Sequence, residues 1–322
     1  MIEHTLLRDI KKDLKLVETE LNHYVDAPIQ LLADSSAHLL KAGGKRLRPA
    51  FALLAAKFDD YSIDKLLPLA VALELIHMAS LVHDDVVDES LTRRGRPTVR
   101  AQWDNRVSIH TGDYLFAKSL ILISQYEDAR VAQVLSQVSV KMCQGEIEQI
   151  STAFDAEQHL KDYFYRIKRK TALLISASCQ LGSIVSGAPD EIVRGLTFYG
   201  YYLGMAFQIT DDILDMIADE DELGKPVGSD LRQGIITLPV IYALKHSDSR
   251  EELLEIVTDR RKGQSSVLRA IEIVKGCEAI DYSFNISEKY LGKAKKQLDI
   301  LPNIKTKRTL QRIADFINIR RY

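Results

Sequence analysis

Two aspartate clusters of identical spacing carry the first chemical suggestion in this chain, Asp84-Asp85-Val86-Val87-Asp88 and Asp211-Asp212-Ile213-Leu214-Asp215. On a helix, residues i and i+4 share a face, so Asp84 with Asp88, and Asp211 with Asp215, present paired carboxylates to one cation. Mg²⁺ is commonly held by one or two carboxylates together with substrate phosphate oxygens. Two such helices facing one another would clamp a diphosphate. Each cluster follows apolar residues, Leu81 and Val82 in one case and Phe207 and Ile209 in the other, where unpaired charge is costly to bury. One copy of so short a motif commonly marks a solvated helix end; the repetition carries the metal reading.

Cations lie near both clusters. Gly43-Gly44 is followed by Lys45-Arg46-Leu47-Arg48-Pro49, and Pro49 suits the first turn of a helix. Three cationic side chains at a helix start, where backbone N–H groups are already exposed, favour an anion. The stretch is not a Walker loop, because it lacks the Ser or Thr after the lysine, the earlier spaced glycine and a preceding strand. Beyond the first aspartates, Arg93, Arg94 and Arg96 offer forked donors suited to diphosphate oxygens, although they could equally neutralise the carboxylates beside them. His77 precedes Asp84 by seven residues, on nearly the same helical face, a place where a lone histidine more often serves the core. The run Lys168-Arg169-Lys170-Thr171 is of a kind that usually faces solvent.

The elements that position these residues read as helices. Helical periodicity dominates, strand alternation is hard to find, and eight prolines interrupt 322 residues, so the expected class is all-α. Helices are expected near 3–24, from Pro28, over 64–89, 98–104, 107–124, 128–151 and 157–186, and from Pro189 into the second aspartate cluster. A glycine-rich loop over 218–238 carries Lys225, and four amphipathic helices follow residue 250. The whole is expected to form one domain. A net charge of −2 gives no support for nucleic-acid binding. Cys143, Cys179 and Cys277 lack metal-site spacing and read as reduced thiols of a cytoplasmic protein. The N-terminus lacks the continuous apolar stretch of a signal peptide. The apolar segment 66–82 is interrupted by Glu74 and His77, as in a buried helix rather than a membrane span.

Taken in order, GGKRLRP, HxxxxxxDDxxD, RRGxP, KxKT, FQxxDDxxD and GKPxGxDL resemble the motif series of the trans-polyprenyl diphosphate synthases, over roughly residues 40–240. Within that family the likeness is strongest to the catalytic component of the two-component heptaprenyl diphosphate synthases. The resemblance implies the isoprenoid synthase fold, an antiparallel helical bundle around a deep central cavity, working as a homodimer or as a heterodimer with a small component I subunit. It implies that Asp84, Asp88, Asp211 and Asp215 hold Mg²⁺ on an allylic diphosphate. Lys45, Arg48, His77 and Arg94 would bind isopentenyl diphosphate. Arg93, Lys170, Thr171, Gln208 and Lys225 would contact the allylic diphosphate, with Lys170 among the catalytic groups.

The chemistry so implied is loss of diphosphate from an allylic carbon and attack on the resulting cation by a second substrate's double bond, in a cavity that excludes water. The product, a quinone side chain such as that of menaquinone, would pass to a membrane. In this family bulky residues just before the first aspartates mark short products. Here Ala79 and Ser80 are small, with Ile76 and Leu73 one and two turns further, each turn advancing about 5.4 Å, so a long product of about six to eight isoprene units is expected. One departure stands out: where relatives usually read GKxTLP, this chain has Gly234-Ile235-Ile236-Thr237-Leu238-Pro239, with isoleucine in place of lysine. A shorter-chain synthase making geranylgeranyl or farnesyl diphosphate is the nearer alternative. A non-catalytic lipid- or partner-binding subunit is the alternative from another class, and a terpene cyclase would have no obvious use for the GGKRLRP site.

Overall fold

A computed structural model describes residues 6–218 and 227–319. In chain order the helices are α1 (Lys11–Tyr24), α2 (Gln30–Lys41), α3 (Leu47–Ala56), α4 (Ile63–Val87), α5 (Val99–Gln102), α6 (Asn105–Ile123), α7 (Ala129–Ser151), α8 (Leu160–Ile167), α9 (Leu173–Val185) and α10 (Asp190–Ile217). After the undescribed stretch come α11 (Ser229–Arg232), α12 (Leu238–His246), α13 (Arg250–Thr258), α14 (Gln264–Lys275), α15 (Ala279–Gln297) and α16 (Lys305–Ile319). The all-α expectation holds. Two details differ from it. Residues 91–97 are a small hairpin, strands β1 (Thr92–Arg93) and β2 (Arg96–Pro97), rather than a plain turn. The expected helix over 157–186 is interrupted by a π-helical segment, Lys168–Ala172.

The chain resolves into two compact units. The first comprises residues 1–136, 174–200 and 297–313. Its centre is α4, a 25-residue helix whose buried face runs from Leu66 through Leu73 to Val82. Among the described residues it is the one helix long and apolar enough to cross a membrane, and about two thirds of its apolar window is buried against the rest of the protein. Pro68 sits inside α4 without breaking it. The Tyr126 hydroxyl enters the ladder there, accepting from the Leu69 N–H at 2.8 Å and donating to the Lys65 carbonyl at 2.7 Å, so the backbone groups next to the proline keep partners. Close helix approach depends on glycine at Gly182, where a Cβ would fall 2.1 Å from the Ala52 carbonyl oxygen.

The second unit comprises residues 137–173, 201–296 and 314–322. Its core joins Tyr163 and Ile167 of α8 to Met205, Ile209 and Ile213 of α10, and to Ile236 just before α12 and Val240 and Ile241 within it. Gly204 lets α10 pass tightly against the π segment, since a Cβ would lie 2.6 Å from the Ala172 Cα. The long helix α10 supplies its first turns to one unit and its aspartate-bearing end to the other.

Candidate active site

In the first unit the GGKR loop, the end of α4 and the hairpin assemble a cationic cluster. Arg46 is the residue before α3 and adopts a left-handed conformation, φ 46°, which is uncommon for a residue with a Cβ. Its guanidinium explains why that conformation persists. Nε and Nη2 donate to the Glu18 carboxylate at 2.7 and 3.0 Å, and Nη1 donates to Glu74 Oε1 at 3.0 Å. Of the three cations expected to favour an anion at this helix start, Arg46 is therefore committed to the protein. Arg48 is different: its Nε is buried without a hydrogen-bond partner. Burial pushes its pKa down to about 10, with Glu74 opposing the fall and Arg94 adding to it.

His77 lies among these groups. Burial first, then the charges of Arg48, Arg94, Arg93 and Arg46, hold its pKa well below the ordinary imidazole value, so it is a neutral hydrogen-bonding group. Arg94 occupies the first central position of the hairpin turn, φ 54°, with Gly95 following at φ 72°, the pair of positive values that a two-residue turn of this hand requires. Gly44 supplies room rather than flexibility: a Cβ there would lie 2.8 Å from Nη1 of both Arg46 and Arg94. Lys45, Arg48, His77 and Arg94 thus all belong to this unit, and Arg48, His77 and Arg94 share one electrostatic environment. A buried donor without a partner, among several positive charges and one neutral imidazole, is an anion site by its chemistry.

The first aspartate cluster closes α4. Asp84 and Asp88 lie one turn apart, with the Asp88 N–H donating to the Asp84 carbonyl at 2.8 Å, and both side chains are half-buried. Asp85 points the other way. It is 1 % exposed, and its Oδ1 accepts from Arg93 Nε at 2.8 Å and Nη2 at 2.6 Å while Oδ2 stays buried without a partner. Burial raises the Asp85 pKa, against the pull of Arg93. Arg93, expected at the allylic diphosphate, is thus anchored on its Nε side by an aspartate of the motif itself.

The second cluster, in the second unit, repeats the spacing with different wiring. Asp212 is buried and accepts from the Tyr163 hydroxyl at 2.7 Å and from Gln208 Nε2 at 2.8 Å. Burial pushes its pKa up to about 6, the Gln208 and Tyr163 hydrogen bonds opposing the shift. Gln208 accepts in turn from the Thr171 hydroxyl. Asp215 is also buried: Oδ1 accepts from the Ser229 hydroxyl at 2.8 Å and Oδ2 from the Asp230 N–H at 3.2 Å, which fixes the start of α11. The expected metal role of Asp215 therefore competes with a structural one, while Asp211, about 100° round α10 from Asp212, is half-buried.

Lys170 and Thr171 lie within the π segment, a local widening of the helix common at functional sites. Lys170 Nζ reaches Gln149 Oε1 at 3.3 Å and Glu146 Oε1 at 3.7 Å on α7. Arg166 is buried and donates to Gln158 Oε1 at 2.6 Å and to the Ile236 carbonyl at 2.5 Å, holding the segment that contains Ile235. Gly234 there has φ 77° and faces the Phe154 ring, and Ile235 is partly exposed. Lys225 lies outside the described residues. Ala79 is buried, and the Ser80 hydroxyl donates to the His77 carbonyl at 2.9 Å.

The sequence reading missed Glu74, Asp85, Tyr163 and Asp212 as parts of the site. An adjacent Asp-Asp pair is itself a signal that one member turns inward, since neighbouring helical residues face about 100° apart. For Mg²⁺ the donors fit in kind, hard carboxylate oxygens at Asp84 and Asp88 on one helical face and at Asp211 on the other motif. Among the described residues no group of three or more His, Cys, Asp or Glu side chains gathers into a closed cage, and the two-carboxylate arrangement leaves coordination positions for phosphate oxygens.

A family model described as "Polyprenyl synthetase" matches residues 29–274. "Heptaprenyl diphosphate synthase component 2" of Bacillus subtilis is 48 % identical over 313 residues, covering 97 % of this chain and 89 % of its own. The crystal structure of heptaprenyl diphosphate synthase from Staphylococcus aureus superimposes with a TM-score of 0.91 at 38 % identity, covering 96 % of this chain and 98 % of that one. A polyprenyl synthase from Caulobacter crescentus, complexed with calcium and isoprenyl diphosphate, gives 0.94 at 33 % identity, covering 98 % and 97 %. With the fold, the cationic cluster and both aspartate motifs in place, the chain belongs to the polyprenyl synthetase family of prenyltransferases.

Proposed function

We propose that this chain is the catalytic subunit of a long-chain trans-polyprenyl diphosphate synthase, extending an allylic diphosphate such as farnesyl diphosphate with isopentenyl diphosphate to heptaprenyl length. The observation that carries the reading is the Arg48 Nε, buried without a hydrogen-bond partner, in the electrostatic neighbourhood of neutral His77 and of Arg94. In this reading Lys45, Arg48, His77 and Arg94 bind isopentenyl diphosphate. Arg93, oriented by Asp85, and Lys170, Thr171, Gln208 and Lys225 would each contact the allylic diphosphate, as the motif resemblance implies. Asp84, Asp88 and Asp211 would hold Mg²⁺, while Asp215 steadies the start of α11.

Bound Mg²⁺ would supply Lewis-acid withdrawal of charge from the departing diphosphate. The residues of this chain bind and orient. Arg48 and Arg94 fix the isopentenyl diphosphate so that its double bond meets the allylic carbon, an effect of proximity rather than of a nucleophilic side chain. His77 donates a hydrogen bond without adding charge. The proton lost from the new chain passes in this scheme to the leaving diphosphate. Ala79 and Ser80, small and followed along α4 by Ile76 and Leu73, set the length of the product.

The family model spans both compact units, and each unit is assembled from three separate stretches of chain, which supports one catalytic domain rather than two independent ones. An exposed apolar stripe on α7, Val140, Cys143, Ile147 and Ile150, has the 3-4-3 spacing of a helix-pairing seam. It supports assembly with a second chain, either another copy or a small component I subunit, and the Bacillus relative is itself named as a component. We place the protein in the cytoplasm, passing its lipid product to a membrane for menaquinone synthesis.

The test is extension of farnesyl diphosphate by labelled isopentenyl diphosphate with Mg²⁺, by the purified chain alone and mixed with a host lysate lacking it, with products sized by chromatography. Heptaprenyl-length products are expected, and activity confined to the mixture identifies a required partner. Short products would replace the length assignment. Silence in both, from folded protein, would favour a non-catalytic binding subunit.

A further inference from the structure

Glu74 has no part in the scheme above, yet it is a buried acid set against the guanidiniums of the cationic cluster. It lies one turn before His77 on α4 and is 2 % exposed. A carboxylate so buried is tolerated only when paired. One oxygen is: Oε1 accepts from Arg46 Nη1 at 3.0 Å, with side-chain exposures of 3 % and 9 %. The other, Oε2, is buried with no hydrogen-bond partner. The same cluster holds a buried donor with no partner, Arg48 Nε. The two charges act on one another, since Glu74 is the largest influence holding Arg48 in its charged form against burial, and it acts likewise on Arg94. Arg46 needs Glu74 least, because Glu18 already binds it through two nitrogens.

We propose that Glu74 is a positioning residue for the isopentenyl diphosphate site, whose free Oε2 receives the Arg48 Nε–H when the terminal nitrogens of Arg48 take the diphosphate. A guanidinium has donors on two edges, and a carboxylate behind one edge fixes the direction of the other. Glu74 thereby orients Arg48 from the protein side and offsets one of the positive charges that would otherwise repel one another within the cluster. The assignment rests on the reading of this cluster as the isopentenyl diphosphate site.

The test compares wild type, Glu74→Gln, Arg48→Ala and the double variant, by calorimetric titration of isopentenyl diphosphate and by steady-state kinetics at saturating allylic diphosphate and Mg²⁺. In Glu74→Gln the Kd and KM for isopentenyl diphosphate are expected to rise roughly tenfold, while kcat and the KM for the allylic substrate stay within about twofold. In the Arg48→Ala background the same substitution is expected to change neither value further. Unchanged or tighter binding in Glu74→Gln would overturn the proposal, tighter binding being what a purely unfavourable field from the carboxylate gives. So would parallel loss for both substrates with a lowered thermal midpoint, the signature of a merely structural acid. Full additivity in the double variant would overturn the pairing with Arg48. Failure of wild type itself to bind isopentenyl diphosphate would instead remove the functional reading beneath it.

Discussion

The two aspartate motifs share a spacing and differ in how they bury their second member. Asp85 is held by a cation, Arg93, whose side chain is 27 % exposed, and keeps one oxygen unpartnered. Asp212 is held by two neutral donors, Tyr163 and Gln208. Their last members diverge as well, Asp88 at the open end of α4 and Asp215 folded back onto α11. In both motifs burial raises the pKa of the inward carboxyl. One motif spends its inner aspartate on aiming an arginine, the other on fixing a helix and its glutamine. Identical sequence spacing therefore specifies which residues share a face, and the surrounding fold decides which of them remain available to a ligand.

The comparison breaks most visibly at the outward positions. Asp84→Ala and Asp211→Ala are each expected to lower kcat by about 10²–10³, measured by incorporation of labelled isopentenyl diphosphate, with folding intact. Equal, modest effects in both would mean that neither motif holds the metal. The inward pair separates next. Asp85→Asn leaves the Arg93 guanidinium without its counter-charge and is expected to cost about 1–3 kcal/mol in denaturant unfolding, whereas Asp212→Asn, facing neutral donors, stays within about 1 kcal/mol. Asp215→Asn is expected to cost about 1 kcal/mol by weakening the start of α11, with most activity retained.

The smallest effect is in pH. Because the Asp212 carboxyl titrates near 6 when folded and near the ordinary carboxylate value when unfolded, the folded state retains a proton that the unfolded state releases. The thermal midpoint of metal-free protein is then expected to fall as pH rises from about 4 to about 6, and to be insensitive to this group above that. Tyr163→Phe removes a hydrogen bond to the ionised form and moves the upper limit of that window higher. A window unchanged by Tyr163→Phe would assign the titration to another group.

Most of the helical frame was legible in periodicity, from α1 through the four helices after residue 250, because amphipathic spacing survives in exposed and half-buried helices alike. The hairpin was not, since strands of two residues show no alternation. Neither was the π segment, whose extra residue per turn leaves Lys168–Ala172 looking like the helix around it. Among the candidate site residues, type and spacing alone pointed to Asp84, Asp88 and Asp211, while Arg48 and His77 were singled out by the motif resemblance. Site residues were illegible where a distant partner decides, as for Asp212, whose Tyr163 lies 49 residues away, and for Arg46, which looks like an anion ligand until Glu18 and Glu74 claim it.

The division of labour between outward and inward aspartates is tested most directly by titrating Mg²⁺, in the presence of a non-hydrolysable allylic diphosphate analogue, into wild type and single Ala or Asn variants at Asp84, Asp85, Asp88, Asp211, Asp212 and Asp215. Loss of metal-dependent binding in the Asp84, Asp88 and Asp211 variants, with binding retained in those of Asp85, Asp212 and Asp215, is the result expected. Loss at Asp85 or Asp212 as complete as at Asp84, in variants that remain folded, would contradict it.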